Sequence, residues 1–533
     1  MRFCYRELCR QLDEYETIII YGTGSYARII YPELVKRGLK YKIAFFAQTE
    51  KAEFDFIDGI QVVSIDLLEC NKEKCVIFIA VGVQYSEKIQ GVLSEYGYKN
   101  IVACTEYASD KCMQRLSGFN EYCDYVADWY VETYGGSSDK EEIVKELLKK
   151  GSRADKTALD LIVIICGSIS VRTIKIAGAL RRKGYHIIIL NYCKVIYDWC
   201  LEEMRKLNIQ IYNCDCIEEM LYRALHYSPL IYFFEPQWGN CLWAEIMLKH
   251  KQNFGKIVIA QYDVLNDGYV GMPAENLATE KYALEHADGI VWRWFSKERL
   301  ERKGFLFRGK SLQFLDYCSH NEREIKENLN DLDTRIVKLC AVGGTGDYYV
   351  EKNYETPYVD WARVGEILDV IGNKDDVIFH FYFGVFYKEE NLEQCKVYEK
   401  QYKNFKFFLN VEHGDLLKKL KYYDYGCEFC VKGEWPSEDT IIDNYYGSNL
   451  MNSTRNVFFD FLSAGIPIIA TTPIKCLEYL QQYGIIVKMD LFDINIEYLQ
   501  QKKKYYRQKV KEARNELDID SQIPRLIQFF KEV

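Results

Sequence analysis

Asn456-Val457-Phe458-Phe459-Asp460-Phe461-Leu462-Ser463-Ala464-Gly465-Ile466-Pro467-Ile468-Ile469-Ala470-Thr471 is the stretch that decides the fold of this chain. Its first half has the apolar spacing of an amphipathic helix, with a carboxylate near the helix start. The small pair Ala464-Gly465 stops the helix. Pro467 then leads into an apolar β-branched run suited to a strand buried in a parallel sheet. Helix, tight turn and strand in that order are the repeating piece of an α/β domain.

Working outward, the complementary order of apolar strand, glycine turn and helix occurs three times, at points spaced like domain beginnings. The first is Thr17 to Tyr21, then Gly22-Thr23-Gly24, then a helix carrying Ala27. The second is Leu159 to Ile165, then Cys166-Gly167-Ser168, then a helix through Ile174, Ala177 and Leu180. The third is Ile336 to Val342, then Gly343-Gly344-Thr345. Further strands are expected at His186 to Leu190, Leu230 to Phe234, Lys256 to Ala260, Val377 to Phe383 and Phe405 to Leu409. The fold class is therefore α/β, with three Rossmann-like domains. The expected division is 1–108 for the first, 109–157 for a polar helical connector, 158–325 for the second, and 326–533 for the third with its C-terminal helices.

A chain of 533 residues exceeds what one hydrophobic core supports, which agrees with several domains. Its net charge of −9 opposes a nucleic-acid partner, because neutralising phosphates requires a dominant basic field. No apolar run reaches the ~20 residues of a membrane span, and Met1-Arg2-Phe3-Cys4-Tyr5-Arg6-Glu7 is too charged to open a secretory leader, so a cytoplasmic location is expected. Basic clusters such as Lys502-Lys503-Lys504 read as a solvated helix face or as a peripheral contact with anionic lipid. The 19 cysteines, scattered through apolar strands, suit reduced buried thiols, and Cys427-Glu428-Phe429-Cys430 lacks the second pair that a zinc site would need.

The opening stretch resembles the nucleotide-sugar-binding part of GT-B glycosyltransferases, whose helix carries an acid for the donor ribose before a "YLAAGIPVI"-like run. Residues 158–533 follow that family's segment order, including Glu280 to Trp292 and Leu416 to Gly426. The last two domains would then form a GT-B pair with a cleft between them. The activity implied is metal-independent transfer of a sugar, with no cofactor, from a nucleotide-sugar donor to a glycan or lipid-linked acceptor in bacterial surface polysaccharide synthesis, in the cytoplasm or at the inner face of the membrane. Residues 1–108 resemble the small Rossmann-like domain of bacterial sugar acyltransferases. The family pattern is departed from at Val457, where a Lys is usual, and at Asn452 and Ser453, where a first Glu would stand.

On the donor side the resemblance assigns the ribose to Asp460, and Arg455 is placed to reach the diphosphate or to remain a surface residue. Gly343, Gly344 and Thr345 can bring backbone N–H groups to a phosphate or simply form a tight turn. His413 lies where it touches the donor or stays a loop residue. On the acceptor side Glu235 and Asp263 follow apolar strands, at the carboxyl ends where open α/β sheets bind ligands; each either handles an acceptor hydroxyl or caps the next helix. In the first domain Gly22, Gly24 and Ala27 form a nucleotide loop or a packing turn. Use of NAD is disfavoured, because the tip of the second strand reads Ala47-Gln48 instead of an acid. The alternatives to a transferase are a non-catalytic sugar-nucleotide-binding or scaffolding subunit and, less favoured, an NAD-dependent oxidoreductase or epimerase.

Overall fold

The computed structural model describes residues 3–49, 56–116, 118–134, 139–152, 158–192, 198–236, 241–261, 264–267, 274–293, 295–319, 335–343, 364–383, 389–409, 411–429, 455–471 and 474–533. The chain divides into two compact units, Met1–Lys150 with Asp215–Arg223, and Gly151–Cys214 with Ala224–Val533. Among the described residues there are three sheets, one in the first unit and two in the second.

The sheet of the first unit has the spatial order Phe56–Ile57, Ile60–Ser64, Ile43–Gln48, Thr17–Tyr21, Cys75–Ile79, Ile101–Ala103. All neighbours are parallel except the short first pair. The run Ile18-Ile19-Ile20-Tyr21 shows why a continuous apolar strand is required: Ile18 and Ile20 pack into the core on one face, Ile19 and Tyr21 into the core on the other. At the turn after it, Gly22 has a φ of 110°, and a β-carbon there would stand 3.0 Å from the Ala80 carbonyl oxygen, so glycine is needed on both counts. Ala27 is buried in the following helix, Ser25–Lys36. Thr23 donates to Gln48 at 3.0 Å, so the strand tip where a dinucleotide reader would carry its acid is tied to the loop by a neutral amide. The polar stretch after this sheet forms the helices Ser109–Gln114, Phe119–Tyr134 and Lys140–Gly151. The segment Asp215–Arg223 belongs to the same unit, where Tyr222 lies against Trp129 and Tyr130.

In the second unit the first sheet runs Lys310–Gln313, Gly289–Trp292, Ile257–Gln261, Pro229–Glu235, Ala158–Cys166, His186–Asn191, Gln210–Asn213. The second runs Phe405–Leu409, Val377–Phe383, Val337–Gly343, Tyr425–Glu428, Ile468–Ala470, Ile486–Lys488. Both are wholly parallel. In each, the chain winds outward from its first strand in one direction and then in the other. The reversal falls between Ala158–Cys166 and Pro229–Glu235 in one sheet, and between Val337–Gly343 and Tyr425–Glu428 in the other. Such switch points leave a crevice at the carboxyl ends of the strands.

The last two helices, Ile496–Glu516 and Ile519–Glu532, join the two sheets. Cys318 and Asp518 form a parallel bridge, Phe530 meets Phe233 edge-on at 5.3 Å, and Arg182 grips Asp520 with Nε and Nη2. One continuous apolar core consequently spans both sheets of this unit. Among the described residues no helix is long and apolar enough to cross a membrane.

Candidate functional site

At the first switch point Glu235 ends its strand in register with Cys166 and is 1% exposed. The helix Val171–Arg182 approaches it directly. Ser170 caps that helix through a reciprocal pair with Thr173, and the Thr173 hydroxyl, while accepting from the Ser170 N–H, donates to Glu235 Oε2 at 2.7 Å. The capping pair that opens the helix thus also anchors the acid, through Thr173. Arg172 Nε lies 3.7 Å from Glu235 Oε1, and its Nη1 donates to Asp316 at 2.8 Å, while Arg293 Nε donates to the same carboxylate at 2.9 Å. Two guanidiniums and two carboxylates are thereby buried together. Burial raises the Glu235 carboxyl above its ordinary range, and the Arg172 guanidinium opposes that only in part. Glu235 Oε1 has no hydrogen-bond partner among the described residues.

Asp263, the second acceptor-side candidate, lies outside the described residues. The strand leading to it ends at Gln261, and the chain beyond is held by Glu280, which accepts from Gln261 Nε2, the Leu265 and Asn266 backbone N–H groups and the Asn266 side chain at 2.7 to 2.9 Å. Glu280 is fully buried, which raises its carboxyl against the pull of these donors.

At the second switch point Gly343 is the last residue of its strand, and Gly344 and Thr345 lie outside the described residues. The adjoining strand ends at Glu428, 1% exposed, and Arg455 Nη1 lies 3.0 Å from its Oε1. Arg455 itself caps the helix Asn456–Ser463 with extended backbone. Because the helix begins at Asn456, its first turn holds no acid, and Asp460 sits at the fifth position instead of near the start. Its carboxylate therefore meets side chains, not the helix's own terminal N–H groups. His413 Nε2 is 3.1 Å and Lys175 Nζ 3.6 Å from Asp460 Oδ1. Burial raises the Asp460 carboxyl, but the His413 and Lys175 charges outweigh that and hold it below its ordinary value. Lys175 comes from the helix of the first sheet and also donates to the Tyr317 carbonyl at 3.0 Å. His413 and Lys175 both line a cavity of about 450 Å³, whose wall also includes Ser319, Glu412 and Gly414.

The structure thus gathers His413 and Asp460 into one cluster and places Arg455 beside Glu428. Glu235 stands apart, at the other switch point. Gly22, Gly24 and Ala27 belong to the first unit. Sequence reasoning missed Lys175, Arg172, Asp316, Arg293 and Glu428. Arg172 and Lys175 carried a signal, being charged residues three apart on the face that Ile176 and Ala179 mark as buried. Glu428 ends a buried strand just as Glu235 does, which was the signal available for it.

No protein-family model matches the chain, and no curated protein matches it. Solved structures do. Anabaena Alr3699/HepE in complex with UDP and glucose superposes with a TM-score of 0.50 at 8% identity, over 70% of this chain and 100% of that one. Sucrose-phosphate synthase from Thermosynechococcus elongatus gives 0.47 at 12% identity over 70% and 98%. Identities this low speak for fold and not for activity. With its two parallel sheets, each reversing winding direction, and its C-terminal helices joining them, the unit of Gly151–Cys214 and Ala224–Val533 has the GT-B fold.

Proposed function

We propose that this protein is a glycosyltransferase that moves a sugar from a nucleotide-sugar donor to a glycan or lipid-linked acceptor, in the synthesis of a bacterial surface polysaccharide. The observation carrying this reading is Asp460. It stands at the motif position of the ribose-binding acid, buried, and is held ionised by His413 and Lys175, which line the adjacent cavity. An ionised carboxylate accepts from two hydroxyls at once, which is what a ribose presents. The donor would displace Lys175 or His413 from Oδ1 or use the remaining carboxylate oxygen. The basic group displaced then faces the diphosphate, whose departure needs positive charge. Gly343, Gly344 and Thr345 would supply backbone N–H groups, and Arg455 would turn from Glu428 to the leaving group. UDP-sugars are the donors to test first, since HepE is seen with UDP and glucose.

On the acceptor side Glu235 would receive the hydroxyl proton on Oε1, the oxygen without a hydrogen-bond partner, and Asp263 would orient the acceptor. A carboxyl raised by burial is a better base than an exposed one. The competing reading, a sugar-nucleotide-binding subunit without catalysis, draws support from the pairing of Arg455 with Glu428 and of Lys175 with Asp460, which leaves each cation already matched.

A thermal-stability screen against UDP-, GDP-, CMP- and dTDP-sugars and NAD(P), followed by assay of free nucleotide released with acceptor extracts, tests the proposal. A stabilising nucleotide-sugar together with acceptor-dependent release supports transfer. Binding without release supports the subunit reading, and stabilisation by NAD(P) alone overturns both. Asp460→Asn should lower donor affinity roughly 10- to 100-fold, from charge-assisted hydrogen bonds of ~1.5 to 3 kcal/mol.

A further inference from the structure

The first unit holds a second constellation that sugar transfer does not use. The antiparallel bridge between Phe3 and Ala108 brings the chain start against the segment that opens the helix Ser109–Gln114. The Cys4 backbone N–H donates to the Tyr107 carbonyl at 2.7 Å, and the Cys112 N–H donates to the Ala108 carbonyl at 3.0 Å. These bonds fix Cys4 and Cys112 relative to each other across more than a hundred residues of sequence. Cys4 caps the helix Tyr5–Asp13. Glu7, three residues on, lies on the same side of that helix. The two sulfurs and a Glu7 oxygen all lie within 4.8 Å of one another.

We propose that Cys4, Glu7 and Cys112 bind a thiophilic divalent cation of the zinc class, its fourth coordination position opening on the adjacent cavity. Tetrahedral zinc with Zn–S of ~2.3 Å and Zn–O of ~2.0 to 2.2 Å sets a sulfur and an oxygen ligand about 3.5 to 3.7 Å apart. Cys112 Sγ stands 3.6 Å from Glu7 Oε2. Two sulfurs and one carboxylate select zinc-like ions over magnesium or calcium, which take oxygen ligands. Three protein ligands with a fourth position left to water or ligand is the pattern of zinc sites that do more than brace a fold.

Cys4 and Glu7 also line a cavity of about 970 Å³, within this same unit, whose wall carries Glu121, Asp124, Asp128 and Glu132 with Arg10. Lys140 bridges Asp124 and Asp128, and Arg37 stands 3.9 Å from Glu132, so part of that charge is matched. Binding exchanges the two thiol protons for the metal, both protons leaving to solvent, with no change in oxidation state. The inference is independent of the proposed transfer, whose residues lie in the other unit.

The test uses the full chain, purified without a metal-binding tag and kept reduced. Zinc should be retained stoichiometrically through gel filtration, and cobalt substitution should give a thiolate-to-metal charge-transfer band. Cys4→Ser, Cys112→Ser and Glu7→Gln should each lose stoichiometric zinc, whereas Cys9→Ser, on the same helix but outside the cluster, should keep it. In case the variants unfold, alkylation of the wild-type protein is followed by mass spectrometry. Zinc should protect Cys4 and Cys112 and leave Cys9 labelling unchanged. Labelling that zinc does not alter, a reduced chain that takes up no metal, or a Cys4–Cys112 disulfide in place of metal would each overturn the proposal.

Discussion

Lys175 Nζ, on a helix of one sheet of the GT-B unit, lies 3.6 Å from Asp460 Oδ1, on a helix of the other. Both side chains are almost fully buried, at 5% and 7% exposure, so the pair is a fixed link between the two Rossmann-like halves. Breaking a buried pair leaves an uncompensated charge. Asp460→Asn keeps an acceptor for His413 and should cost about 1–3 kcal/mol of stability in urea unfolding. Combining Lys175→Met with Asp460→Asn should recover part of the loss, with a coupling of about 0.5–3 kcal/mol. Strict additivity of the two changes would mean that the contact carries no energy.

Arg172 should be the most sensitive residue of the buried charge cluster at Glu235. It faces Glu235 and Asp316 at once and donates to the Phe314 carbonyl at 3.1 Å. Arg172→Met leaves two buried carboxylates with Arg293 alone and should cost about 3–5 kcal/mol. Arg172→Lys should rescue little, because a single ammonium cannot reproduce the planar fork. Denaturant titration of both variants checks this. Full stability of the lysine variant would show that only charge matters there.

Gly426 should not tolerate a side chain. It lies in the middle of the strand Tyr425–Glu428, and a β-carbon there would run into the ring of Phe461, on the helix that carries Asp460. Gly426→Ala should therefore push that helix outward, costing about 1–3 kcal/mol and weakening donor binding together with stability. Unchanged stability with unchanged donor affinity would refute the close packing.

Acid should weaken the fold through His380. Burial, helped by the Lys406 charge, depresses its imidazole from 6.5 to about 4, and its Nδ1 lies 2.6 Å from the Tyr423 hydroxyl. Between those values the unfolded chain binds the proton and the folded chain does not, so stability is full above pH 6.5 and falls as pH drops toward about 4. His380→Phe should flatten that part of the stability–pH profile. Asp460 acts at lower pH: its folded carboxyl is depressed, so its contribution is present above the ordinary aspartate range and is lost below it. A His380→Phe profile as steep as wild type would assign the slope to other groups.

The strands were legible because a parallel sheet buried on both faces demands unbroken apolar runs. Ala158–Cys166, Pro229–Glu235, Ile257–Gln261 and Val377–Phe383 all stand within a residue or two of where such runs placed them. The turns were legible where glycine has a steric reason, as at Gly22, and the carboxyl-end position of Glu235 followed from strand order alone. By contrast, Asp460 sits deeper in its helix than the pattern suggested, since Arg455 is extended and caps it and the helix begins at Asn456. The sequence by itself determined the α/β class and the three domain openings, because periodicity and glycine turns are local. Only the tertiary structure decided which charges meet. Lys175 with Asp460, Arg172 with Asp316, and Cys4 with Cys112 are each separated by more than a hundred residues, and their pairing depends on how sheets and helices pack, which no local pattern encodes.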